Sequence, residues 1–249
     1  MIECIWISET SIMTNQPRPF QIAGRSIGPD DPPYCIAEVG INHNGELPLA
    51  IRMIDAAKAA GADAVKFQTF KAEEFCGPEQ TFTYKSQGKP VTESMLRMFQ
   101  RYEFPPETWR VIKAHCDAAG ITFFSSPQNR SDLDLLLEVG VPAIKVGSDD
   151  FTNLPLLRSY SAAGLPLILS CGMSDLAEVH QALESAGWFE GRPVALLLCT
   201  SQYPTPPEDV NISKLTTLQQ AFPRLLIGFS DHTQGALAAS LAVARGARI

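Results

Sequence analysis

The chain has 249 residues, 45% of them hydrophobic, with a mean hydropathy near zero and a net charge of −7. This balance excludes a disordered chain, and no apolar run is long enough for a transmembrane helix. The acidic excess leaves no basic footprint for nucleic acid, so any bound anion must be held by a few placed groups.

Residues 1 to about 32 show little periodicity and end in Gly-Pro-Asp-Asp-Pro-Pro, the composition of an extension or linker. Glu3 and Glu9 and the lack of a basic cluster argue against a signal peptide, and Met13 is a candidate start. From Tyr34 the pattern becomes regular. Strands are predicted at 34–39, 64–67, 121–125, 142–146, 166–169, 193–199 and 224–228. Amphipathic helices are predicted between them at 47–60, 106–119, 130–139, 153–162, 175–186 and 211–221, with a last one at 234–245. Helix after helix ends in glycine, the usual C-terminal cap before a new strand.

Such alternation predicts parallel strands with right-handed crossovers. Seven units plus a stub at Ala247–Ile249 fit an α/β fold of the (β/α)₈ TIM-barrel type, cut at the start of its eighth strand. A doubly wound sheet fits less well, because no GxGxxG follows the first strand and polar groups end every strand. The expected division is therefore a 1–32 extension and a 33–249 barrel. Two strands left unpaired at the gap would be an aggregation hazard. One insertion, Lys71 to about Phe104, interrupts the rhythm and suggests a lid or substrate loop.

In such a barrel the chemistry sits at the C-terminal ends of the strands. Those ends carry Glu38, then Lys66 and Gln68, Ser125 and Ser126, Lys145 and Ser148, Ser170, Gln202 and Tyr203, and finally Ser230-Asp231-His232. Lys66 and Lys145 lie inside apolar runs, where an unpaired charge costs several kcal/mol. They are either structural ion pairs with Glu38 or Asp149, cations facing an anion, or, for one of them, a Schiff-base amine. Ser126, Ser148, Ser170 and Ser230 are either phosphate donors or ordinary helix caps. His43 follows the first strand and is expected to orient its loop, whereas His115 and His180 fall on helices. His232 stands beside a carboxylate at a strand mouth and is the candidate metal ligand. The six cysteines are scattered, and Cys35 and Cys199 are expected to be buried, reduced thiols of a cytoplasmic protein. With four histidines and none at ligand spacing from a cysteine, zinc is not expected.

Taken together, the strand-end motifs resemble the N-acetylneuraminate (sialic acid) synthase family, which includes legionaminate and pseudaminate synthases. The matching stretches are Ala37-Glu-Val-Gly-Ile-Asn-His-Asn-Gly45, Val65-Lys-Phe-Gln-Thr69, Phe124-Ser-Ser-Pro127 and Lys145-Val-Gly-Ser148. They continue with Leu169-Ser-Cys-Gly-Met173, Leu198-Cys-Thr-Ser-Gln-Tyr-Pro-Thr-Pro206 and Ile227-Gly-Phe-Ser-Asp-His-Thr233. The resemblance implies condensation of phosphoenolpyruvate with an N-acyl-hexosamine to a nine-carbon 2-keto-3-deoxy acid and phosphate. A divalent metal, Mn²⁺ in most of the family, would polarise the aldehyde from His232. Lys66, Lys145 and the serines Ser126, Ser148, Ser170 and Ser230 would hold phosphate and carboxylate, and Glu38 would serve as acid–base. Gln68, Gln202 and Tyr203 would meet the sugar. Gln202 stands where the family commonly has asparagine, which bears on the identity of the sugar.

The resemblance further implies a homodimer, with no nucleic-acid or membrane partner. It also places the second metal ligand and a small antifreeze-like domain beyond position 249. The nearest alternatives are another phosphoenolpyruvate-condensing barrel and a non-catalytic, pocket-bearing module. A 3-deoxy-octulosonate phosphate synthase would need a second basic cluster for its phosphorylated aldose, and the sequence offers none.

Overall fold

The computed structural model describes residues 16–86 and 89–249; Glu3, Glu9 and Met13, noted above, lie outside them. The chain opens with a hairpin, β1 (Phe20–Ile22) and β2 (Arg25–Ile27), and then enters β3 (Ile36–Gly40) and α1 (Leu47–Ala59). After β4 (Ala64–Thr69) comes the insertion: α2 (Ala72–Phe75), β5 (Thr81–Ser86), β6 (Lys89–Ser94) and α3 (Met95–Tyr102). The alternation resumes with α4 (Pro106–Ala119), β7 (Thr122–Pro127), α5 (Arg130–Val139), β8 (Ile144–Val146), α6 (Leu154–Ala162), β9 (Leu167–Ser170) and α7 (Leu176–Ser185). It ends with β10 (Val194–Cys199), α8 (Pro207–Val210), α9 (Lys214–Ala221), β11 (Leu226–Ser230) and α10 (Leu237–Ala244).

Seven strands form one curled sheet in the order β3-β4-β7-β8-β9-β10-β11, every pair parallel. The apolar runs explain this. Every residue of β10 is buried, as are those of β8 and β9, which is the pattern of strands covered on both faces. Helices form where the sequence supplies starts and stops. Asn129 and Asp132 make a capping box on α5, and Asp175 and Glu178 make one on α7.

Three features differ from the sequence reading. The segment read as a linker contains a hairpin whose Ile22 and Ile27 are fully buried. They join one core cluster with Ala64, Ala143, Ala195 and Leu226, residues at the start of the barrel strands, so the hairpin seals the end opposite the mouth. An Arg25–Asp63 ion pair and the Arg18 N–H to Arg224 carbonyl bond tie it down. Ile22→Ala should therefore cost about 2–4 kcal/mol in urea unfolding, as expected for a fully buried isoleucine; a loss under about 1 kcal/mol would mean the hairpin is only draped on the barrel.

The second difference is at the gap in the barrel. Arg248 N–H donates to the Ile227 carbonyl at 3.0 Å, and its own carbonyl accepts from Tyr34 N–H at 2.8 Å. Phe229 N–H donates to the Ile249 carbonyl at 2.8 Å. Arg248 and Ile249 thus bridge β11 and the approach to β3, so the two edges expected to be unpaired are partly satisfied. Cys35 also departs from expectation, being exposed because it precedes β3 rather than lying in it. Cys199 is buried, as expected.

The insertion packs as a unit on the mouth side. Phe70, Phe75 and Phe99 form a cluster with centroid distances of 4.9–5.4 Å. Glu103 accepts from Ala72 N–H at 2.9 Å, and Ser131 donates to Glu74 at 2.5 Å, latching the insertion to α5.

Candidate active site

The parallel register brings the polar strand ends into one ring. Glu38 of β3 is the register partner of Lys66 on β4, and Gln68 is the partner of Ser126 on β7. Lys66 Nζ lies 2.7 Å from Glu38 Oε2. Lys66 is thus ion-paired with Glu38, one of the partners expected for it, although Glu38 itself remains more than half exposed at the mouth. Next to this pair, Thr69 and Ser125 exchange a hydroxyl bond of 2.8 Å, while the buried Ser126 hydroxyl has no partner among the described residues.

Lys145 is different. It is buried, and its ammonium donates to the Val146 carbonyl at 2.7 Å and to Ser170 Oγ at 2.6 Å. Among the described residues no carboxylate lies within ion-pairing distance of it. Burial, and then the charge of Lys66, push its pKa down to about 7, with Glu38 offsetting part of the effect. A cation that is desolvated and matched only to neutral oxygens is a standing demand for an anion. Ser148 is in the same quadrant: its Oγ accepts from Gly172 N–H at 3.0 Å.

At the other side of the mouth, His232 Nδ1 lies 2.8 Å from the Thr200 carbonyl. A carbonyl only accepts, so Nδ1 carries the hydrogen and Nε2 presents its lone pair. Burial opposes the protonated ring, but the Cys199 contact and then the Thr200 carbonyl outweigh it and raise the pKa above the ordinary value. Tyr203 covers the imidazole with ring centroids 3.9 Å apart, and Cys199 Sγ lies 4.0 Å from Nδ1. Ser230 is the register partner of Cys199, which puts it in the same neighbourhood. Gln202 is exposed on the loop beyond β10.

His43 does orient its loop. It is fully buried, its Nδ1 accepts from Gly45 N–H at 3.1 Å, and its ring stacks on Phe104 at 4.2 Å. Burial lowers its pKa to about 4, so it is neutral at physiological pH. The sequence reading did not anticipate the Thr200 carbonyl that sets the His232 tautomer, or Cys199 as a neighbour of that ring. No side-chain pattern marks a carbonyl partner. The Cys-Thr-Ser-Gln-Tyr run after a buried strand was the available signal for Cys199. Among the described residues, no group of three or more His, Cys, Asp and Glu side chains is gathered as a metal cage, and no helix is long and apolar enough to cross a membrane.

Comparison with known proteins gives this ring a context. The chain is 38% identical over 219 residues to the N,N'-diacetyllegionaminic acid synthase of Legionella pneumophila, covering 86% of this chain and 61% of that protein. It is 35% identical over 234 residues to the human N-acetylneuraminate-9-phosphate synthase, covering 91% and 63%. A crystal structure of an N-acetylneuraminic acid synthetase from Leptospira borgpetersenii, in complex with citrate, superposes with a TM-score of 0.84 at 33% identity, covering 94% of this chain and 77% of that one. A truncated 3-deoxy-D-arabino-heptulosonate 7-phosphate synthase from Thermotoga maritima, at 15% identity and a TM-score of 0.65, shares the barrel fold. The chain spans about three fifths of the length of the curated relatives it matches. A profile of the NeuB family matches residues 53–249, and the chain belongs to that family.

Proposed function

We propose that this chain forms the barrel of a nonulosonate synthase, condensing phosphoenolpyruvate with an N-acyl-hexosamine of the N-acetylmannosamine type. The observation that carries the reading is Lys145, a buried cation facing neutral oxygens within a ring of strand-end hydroxyls. Phosphoenolpyruvate supplies a phosphate and a carboxylate, the charges that this site lacks. Lys145, Ser170 and Ser148 would hold the phosphate, with the free Ser126 hydroxyl as a further donor. Ser230 would add a hydroxyl from the β11 side. Lys66 would share its charge between Glu38 and the substrate carboxylate.

The enol carbon of phosphoenolpyruvate attacks the sugar aldehyde, water adds to the resulting cationic centre, and the tetrahedral intermediate loses phosphate by C–O cleavage. Glu38, more than half exposed and paired with Lys66, would move the proton of that water. Gln68, Gln202 and Tyr203 would line the sugar end. In this reading neither lysine forms a Schiff base.

A divalent metal, manganese by resemblance, would polarise the aldehyde when bound. His232 fits as one ligand, because the Thr200 carbonyl leaves Nε2 free. One imidazole is not a complete donor set. Mn²⁺ titrated into the 249-residue chain, followed by the electron paramagnetic resonance signal of free Mn²⁺, should therefore show millimolar or weaker binding. Tight, stoichiometric binding would overturn this expectation.

The test of the function is phosphate release from phosphoenolpyruvate with N-acetylmannosamine and Mn²⁺. It is run on this chain and on one extended at its C-terminus, where the resemblance places the second metal ligand. Release that depends on both substrates supports the reading. If the longer chain releases no phosphate with any N-acyl-hexosamine, the reading fails. A short chain that binds phosphoenolpyruvate without turnover would be a pocket-bearing module instead.

A further inference from the structure

Met173 is a large apolar residue that the fold holds out to solvent at a cost. It follows Gly172 on the loop after β9, has a left-handed backbone (φ 64°), and is 74% exposed. A side chain in that region is disfavoured, and methionine has no local hydrogen bond to compensate, unlike Asn or Asp. Such conformations persist where the surroundings enforce them, and they gather at functional sites. The enforcing contacts are visible here. Gly172 is drawn into the mouth by its bond to Ser148, and a Cβ on it would meet Ser201 Oγ at 2.4 Å and Ser148 Oγ at 2.7 Å. The tight passage of Gly172 between two hydroxyls leaves Met173 exposed on the same loop, one residue along the chain from the Ser148 contact.

The chemistry of the acceptor fits that position. The acyl group of an N-acyl-hexosamine is carried on the carbon next to the aldehyde, so it must lie close to the reacting atoms. The strand-end groups around it are lysines, serines, a glutamate, glutamines and a histidine. Tyr203 and Met173, on the neighbouring β10 and β9 ends, supply exposed apolar surface there, and Tyr203 is already stacked on His232. We infer that Met173 is the contact for the acyl methyl group and a determinant of selectivity for acylated over plain hexoses. This rests on the nonulosonate-synthase reading above. A flexible, polarisable thioether suits a small methyl group better than a rigid branched side chain would.

The test uses the 249-residue chain with phosphoenolpyruvate present and two open-chain alditols that cannot be condensed, 2-acetamido-2-deoxymannitol and mannitol. With methyl-¹³C methionine, the Met173 resonance is assigned by its loss in Met173→Gly. That resonance should shift with the acetamido compound and stay in place with mannitol. In Met173→Gly the affinity ratio between the two compounds should fall about tenfold, the usual worth of one methyl contact. Glycine also relieves the left-handed backbone, so the melting temperature should hold within about 2 °C or rise. A clear loss of stability would make Met173 a packing residue and overturn the inference. An unchanged ratio, or an equal shift with mannitol, would overturn it too. If calorimetry detects neither phosphoenolpyruvate nor either alditol on the wild-type chain, the inference is overturned, while phosphate release by the longer chain still decides the synthase reading.

Discussion

Lys145→Met should make the protein more stable and blind to phosphoenolpyruvate at the same time. The unfolded lysine keeps its proton up to about 10.5, whereas the folded one keeps it only to about 7. Between those values folding expels a proton, so stability rises with pH; below about 7 both states are protonated and the full penalty of burial remains. Methionine has a similar length and no charge to desolvate. Urea unfolding at pH 7 should show a gain of about 1–4 kcal/mol for the variant, shrinking as the pH approaches 10. Its affinity for phosphoenolpyruvate should fall about 100-fold or more, since a buried charged bond is lost. In the wild type the incoming anion restores the ammonium, so binding at pH 8 should take up a proton. Calorimetry in buffers of different ionisation enthalpy measures that uptake directly. Wild-type-like affinity in the variant, or binding without proton uptake, would move the anion site away from Lys145.

The same residue shows how much of this site was legible in the sequence. A lysine inside Ala-Ile-Lys-Val is conspicuous because charge in an apolar run needs a reason, and its place at a strand end followed from the alternation of strands and helices. Whether it is paired is a matter of register. Lys66 and Lys145 look alike in sequence, yet β3 sets Glu38 opposite Lys66, while β9 offers Lys145 only Ser170. The strand and helix positions were readable for a related reason: fully buried parallel strands and glycine-capped helices repeat one simple pattern. α4 and α5 begin and end where the spacing predicts them.

The β1–β2 hairpin escaped because its strands are three residues long and its turn is Ala23-Gly24, both at positive φ, rather than the more telling Asn-Gly. Phe20, Ile22 and Ile27 alternate with polar residues, which was the faint signal available. The bridging role of Arg248 was invisible for a different reason. It is made entirely by backbone groups, and any side chain can accompany them.

Gly45→Ala should be among the most damaging single-methyl changes in the chain, because it strikes where the insertion meets the barrel. Gly45 has φ +75°, and a Cβ there would lie 2.1 Å from the backbone carbonyl oxygen of Arg101 in the last turn of α3. A backbone oxygen in a helix cannot swing aside. Arg101 is further fixed by two 2.7 Å bonds to Glu93, and Phe99 by the aromatic cluster of the insertion. The loop cannot yield easily either, since Gly45 N–H holds His43, whose ring is sandwiched in the core against Phe104. Relief therefore requires the insertion and the β3–α1 loop to separate. The expected loss is about 3 kcal/mol or more, a fall in melting temperature of roughly 6–12 °C for a chain of this size. Gly61→Ala provides the control: it has φ +85° but open space around its Cβ, so it should carry only the backbone cost of about 1–2 kcal/mol. Hydrogen exchange should also quicken in α3 and around His43 for Gly45→Ala, and only near the α1–β4 turn for Gly61→Ala. Equal losses from the two substitutions would mean that the insertion does not press on the loop that carries Asn42 and His43, and that it moves independently of the mouth.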